Sequence, residues 1–156
     1  GISSAPASAT LKIYGSSNGT ADIIAVKGTW NTSLTFNAGN FDALDFSTPF
    51  SSQISTWSTS GYNDIELNSD ALTMMGDEDD LLLVLVEHDY DYSDQDPGSS
   101  TTLRSGMFYS NQGGTSKDPY VEYSSGYGNA VLGVASANIG KVNGVATANI
   151  EKVIGV

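Results

Sequence analysis

The chain has 156 residues, with 18 acidic and 6 basic side chains that leave a formal net charge of -12 at pH 7. That length suits one domain with a sizeable core, while the acidic balance repels phosphate backbones and excludes nucleic acid as a partner. The chain has no cysteine and one histidine, His88, which removes disulfides, thiolate nucleophiles, zinc–thiolate sites and paired-histidine chemistry together.

The longest unbroken apolar run, Leu81 to Val86, is far too short to cross a bilayer, so the sequence reads as soluble with no membrane partner. Residue 1 is Gly, and no charged segment followed by an apolar one comes after it, which reads as a mature, trimmed or cloned chain. Residues 1–10 form a Ser/Ala-rich lead without periodicity, expected as an N-terminal arm. Residues 11–130 read as an all-β body, an antiparallel β-sandwich of jelly-roll type, and residues 131–156 as an extended C-terminal repeat arm.

Within the body, Leu11 to Tyr14 alternates apolar and polar, and Gly15-Ser-Ser-Asn-Gly19 reads as a turn. Ala21 to Lys27 is apolar and β-branched, and Thr29 to Phe36 carries Trp30, Leu34 and Phe36 on one parity. Asp64 to Asn68 alternates again, and Ser69 or Asp70 is placed to cap one helical turn through Met75. Asp80 to Tyr92 is the longest strand candidate, apolar on both parities at first and then acidic on one. A polar loop over 93–102 separates it from strands expected at Leu103 to Ser110 and Tyr120 to Tyr123.

Beyond Ala130 the sequence repeats with a period of eleven: Val131 to Lys141, Val142 to Lys152, then Val153 to Val156. Gly133, Gly144 and Gly155 recur in register, as do Asn138 with Asn149 and Ile139 with Ile150. Two conformations remain open. Eleven residues over three helical turns stack the valines in a stripe, whereas glycine and β-branched residues favour short strands with Asn143-Gly144 as a hairpin turn. Either way so few repeats cannot bury their own apolar rows. Residues 130–134 are expected to complete the body's sandwich. Val131, Val134, Ile139, Val142, Val145, Ile150 and Val153 are expected at contacts between subunits, giving a homotrimer or larger assembly.

Candidate chemistry is sparse. Asp89, Asp91, Asp94 and Asp96 are alternating oxygen donors of the kind Ca²⁺ takes, without an EF-hand pattern, and no other cofactor is expected. Asp77-Glu78-Asp79-Asp80 reads as a charged guard on a strand edge. No motif surrounds a nucleophile, and His88 reads as a strand-end residue, so no enzyme is expected and no catalytic residue is assigned. Tyrosines are the better candidates: Tyr62, Tyr90, Tyr92 and Tyr127 combine an apolar ring with a hydroxyl and suit a glycan or protein contact, while Trp30 and Trp57 are expected in the core.

The segments Asp42-Ala-Leu-Asp-Phe-Ser, Ile54-Ser-Thr-Trp57, Gly61-Tyr-Asn-Asp-Ile-Glu-Leu-Asn68-Ser-Asp-Ala-Leu72, Asp89-Tyr-Asp-Tyr92 and Asp118-Pro-Tyr-Val-Glu-Tyr123 together resemble the jelly-roll domain of the DNRLRE type. Arg104-Ser-Gly-Met-Phe-Tyr-Ser110 is similar to its closing strands, although the arginine-rich signature that names the family is absent. The Val-x-Gly-Val-Ala-x-Ala-Asn-Ile tail resembles repeats that end phage virion proteins. The resemblance covers most of residues 9–156 and implies a relative of carbohydrate-binding modules found in minor structural proteins of tailed phages. It transfers no functional residue by position. The expectation is a virion structural protein, a capsid decoration, fibre or spike subunit, at a virion surface or outside cells. Its partners would be itself and neighbouring virion proteins. Alternatives are a carbohydrate-binding module for surface or host attachment and a subunit of an extracellular filament.

Overall fold

The computed structural model of the protein describes residues 2, 4–17, 21–29, 38–41, 44–77, 81–99, 104–125, 141–142 and 145–146. In chain order these contain β1 (Ser8–Ser17), β2 (Ile23–Gly28), the short helix α1 (Ala38–Phe41), β3 (Leu44–Pro49), β4 (Tyr62–Glu66), α2 (Ser69–Asp77), β5 (Leu83–Glu87), β6 (Gly106–Met107), β7 (Tyr120–Ser124), β8 (Lys141–Val142) and β9 (Val145–Ala146). The architecture is all-β and sandwich-like, with few helices.

Strict alternation builds the first sheet. Ala9, Leu11 and Ile13 of β1 point inward and are buried, while Thr10, Lys12 and Tyr14 point outward. β4 pairs antiparallel along one edge of β1, with Tyr14 opposite Tyr62 and Lys12 opposite Asp64. β7 and β6 share the other edge, β7 along residues 8–12 and β6 along residues 15–17.

The second sheet has the order β3-β2-β5, antiparallel throughout. Both parities of β2 are apolar because both faces are covered. Ile23 and Ala25 join Leu11, Ile13, Ile65, Phe50 and Met74 in one core between the sheets, while Ile24 and Val26 meet Leu44 and Val86 on the other face. Phe50, Ile65 and Val26 are the largest fully buried side chains among the described residues.

Several expectations change. The body begins earlier than residue 11: β1 starts at Ser8, and Ala7 N donates to Ser124 O at 2.7 Å, so the end of the expected arm belongs to the sheet. Gly15 to Ser17 continue β1 instead of turning. Gly15 is needed for close approach, because a Cβ there would overlap the carbonyl oxygen of Ser58. The cap of α2 is Asn68, whose Oδ1 accepts from Asp70 N at 3.1 Å and Ala71 N at 3.2 Å. The long strand expected through Tyr92 stops at Glu87, where the Glu87 carboxylate accepts the Tyr90 N–H at 2.7 Å and starts a π-helical turn over His88–Tyr92. Of the strand expected over 103–110, only Gly106–Met107 is a strand among the described residues. Trp30 and the rest of the strand expected to follow it lie outside them.

Candidate functional site

The outward face of the four-stranded sheet gathers aromatic rings from four separate stretches of chain. Register alone sets Tyr14 against Tyr62, with ring centroids 5.3 Å apart and planes at 81°. Phe108, just beyond β6, meets Tyr14 at 5.7 Å, and Tyr120 of β7 meets Tyr62 at 5.2 Å, both edge to face. The Lys117 ammonium lies 4.3 Å from the centroid of Phe108 and 5.0 Å from that of Tyr14, a cation held by ring faces.

Backbone acceptors fix the two inner phenols. Tyr14 Oη donates to Ser60 O at 2.8 Å, and Tyr62 Oη lies 3.1 Å from both Ser116 O and Asp118 O. Desolvation pushes the Tyr62 phenol above its ordinary pKa, helped by the negative charges of Tyr120, Asp118 and Tyr14 when ionised. Beside the rings, Lys12 Nζ sits 2.7 Å from Asp64 Oδ2 and 3.5 Å from Glu122 Oε2. The hydrogen bond that Lys12 donates to Asp64 is the main cause of a raised Lys12 pKa.

Next to this strip a cleft of about 470 Å³ opens, lined by Thr56, Trp57, Ser58, Tyr62, Asn63 and Asp64 among others. Its wall is held by Asn63, a buried polar side chain whose Nδ2 also donates to Ile13 O at 3.3 Å. Trp57 is only partly buried: it packs against the main core, spends its indole N–H on Gly106 O at 3.0 Å and also lines the cleft, so it sits at the margin of the core and not within it. The cleft and strip together offer ring faces, hydroxyls and a carboxylate, the complement of a ligand rich in hydroxyls with apolar patches between them.

The expected ligand-binding tyrosines are not brought together. Tyr62 is central to the strip, but Tyr90 and Tyr92 belong to the π-helical turn beyond β5. Tyr92 stacks on His88 at 5.5 Å and packs against the second core cluster with Phe46, and Tyr127 lies outside the described residues. Tyr14, Phe108 and Lys117 were not anticipated. For Tyr14 the signal was present in its shared parity with Lys12, the outward face of β1, but nothing local links it to Phe108 or Tyr120.

The four aspartates are placed separately. Asp89 Oδ1 meets His88 Nδ1 at 2.9 Å, Asp96 Oδ1 accepts Gly98 N at 2.8 Å, Asp94 has φ of 51°, and Asp91 faces a different cleft. Among the described residues no three His, Cys, Asp or Glu side chains form a group able to hold a metal. Nor is any helix among them long and apolar enough to cross a membrane.

Of the expected interface residues, Val142 and Val145 fall in β8 and β9, which pair antiparallel with Val142 opposite Val145. These positions are extended, not helical. Val131, Val134, Ile139, Ile150 and Val153 lie outside the described residues. Compared with protein-family models, curated proteins and solved structures, the chain gives no match.

Proposed function

We propose that the protein is a non-enzymatic structural subunit of a virion surface, a decoration, fibre or spike protein that assembles through its repeat tail. The observation that carries this reading is the pairing of the tail: among the described residues β8 bonds to β9 and to no strand of either body sheet. A pair of two-residue strands is unstable alone in water, so the apolar repeats need a surface supplied by another subunit. The jelly-roll connectivity, the repeat arm running through residue 156 and the phage context belong to this reading. The test is solution mass: the full chain is a trimer or larger, and charged substitutions in the tail reduce it to a monomer with an intact body.

A second reading has its own support. The strip of Tyr14, Tyr62, Tyr120 and Phe108 beside the Trp57 cleft favours a carbohydrate-binding surface, and a virion fibre can carry one. Glycan-array binding by the full chain is the test, and a flat array removes this reading without touching the first.

A further inference from the structure

Among the described residues the outer edge of β5 has no strand partner, although its composition is apolar. His88 N donates to Asp22 O at 2.7 Å and Gly28 N donates to Leu82 O at 3.0 Å. In an antiparallel ladder these two bonds fix the alternation. With Ile24 opposite Val86 and Val26 opposite Val84, Val84 and Val86 turn their N–H and C=O groups toward β2. Leu83 and Leu85 turn theirs away from it. Among the described residues no strand pairs with that side, and no backbone bond reaches it.

An apolar edge strand with unpaired main-chain groups is a template for another strand. Here a receptacle lies beside it: a cleft of about 300 Å³ along β5, lined by Ile23, Leu44 and Met107 and by Glu87, Asp91 and Arg104. Main-chain bonds from an added strand supply affinity in such an arrangement, and a cleft for its alternate side chains supplies selectivity.

We infer that this edge receives the tail of a second copy of the chain, whose β8–β9 pair adds one of its two strands to β5. Three features select that occupant. The tail is already extended at Lys141–Val142 and Val145–Ala146 and, within its own chain, pairs with neither body sheet among the described residues. Three of those four residues, Val142, Val145 and Ala146, are of small or β-branched type, which suits a strand laid against Leu83 and Leu85. Charge agrees as well: residues 131–156 carry Lys141 and Lys152 against Glu151 alone, while seventeen of the 18 acidic residues lie in the preceding chain, two of them, Glu87 and Asp91, in the cleft. The inference rests on the assembly reading above and specifies where the tail goes.

The experiment is residue-resolved amide hydrogen exchange on the full chain at concentrations above and below its association midpoint, with solution mass recorded alongside. The Leu83 and Leu85 amides are expected to exchange at least tenfold more slowly in the assembled form. The Val84 and Val86 amides, bonded to β2, stay protected in both forms and report that the body is folded. V145D abolishes both the mass increase and the added protection. If the chain assembles but Leu83 and Leu85 exchange equally fast in both forms, the edge is not the receptor, while the assembly reading stands. If those amides are protected equally at every concentration, the chain covers its own edge and the inference is wrong. A monomer at all concentrations overturns both.

Discussion

Asn63 and Ser58 are joined twice: the Asn63 amide oxygen accepts the Ser58 N–H at 2.7 Å, and its Nδ2 donates to the Ser58 carbonyl at 3.0 Å. A buried side-chain amide thereby substitutes for a strand neighbour and ties the segment carrying Trp57 to the edge of β4. Removing it strands buried polar groups, which costs more than the bonds contribute while they exist. Asn63→Ala is expected to lower stability by about 2 to 3 kcal/mol in urea unfolding. A loss under about 0.5 kcal/mol, the range of ordinary surface changes, would show that the clamp is dispensable.

Gly15 approaches the same carbonyl, and a Cβ there would also lie 3.1 Å from Asn63 Nδ2. Its missing Cβ is what lets β1 pass beneath Ser58, so Gly15→Ala is expected to cost about 1 to 3 kcal/mol through forced displacement. Because both substitutions act on one segment, the double variant Gly15→Ala/Asn63→Ala should lose less than the two single losses together. Strict additivity in thermal or urea unfolding would contradict a shared mechanism.

Lys12 supplies the pH dependence. Its folded pKa is raised above 10.5, chiefly by the hydrogen bond to Asp64. Its contribution is therefore fully present below the unfolded value and is lost as pH rises through the folded one. With Asp64 and Glu122 both exposed, that contribution is no more than about 1 kcal/mol. Unfolding curves for the native chain and Lys12→Met, taken from about pH 8 to about pH 12, should converge at the alkaline end. Parallel curves would mean that the ion pair contributes nothing.

The aromatic strip gives a binding prediction. Tyr120 is 48% exposed, so Tyr120→Ala should fold normally and lower affinity for any glycan found on an array at least tenfold, about 1.4 kcal/mol. Asp64→Asn should reduce it as well by weakening acceptance from sugar hydroxyls. Unchanged affinity in both variants, measured by calorimetry, would place the glycan elsewhere on the protein.

The strands that alternate cleanly were legible in the sequence. Leu11 to Tyr14 shows one buried and one outward parity, which is a local property, whereas in Tyr120 to Tyr123 only Val121 turns toward the core and Tyr123, on the same parity, is exposed. The end of β5 was not legible, because Asp89-Tyr-Asp-Tyr92 also alternates, and the bond from Tyr90 N to the Glu87 carboxylate, with those from Ser93 N and Oγ to His88 O, diverts it into a turn. β3 has no strand signature in the sequence, because Asp45-Phe-Ser-Thr-Pro49 has no alternation, and the Asp45 side chain accepts from both Ser47 N and Ser47 Oγ. Of the site, Tyr62 was found from its residue type. The meeting of Tyr14, Phe108 and Tyr120 with it depends on strand register between segments tens of residues apart, which no local pattern encodes.

The central claim is that the tail assembles subunits, and the most direct measurement is light scattering after size exclusion on the full chain beside its V142D/V145D variant. A trimer or larger assembly that falls to a folded monomer in the variant is the predicted result. A monomer for both, or an assembly that the substitutions leave unchanged, would contradict it.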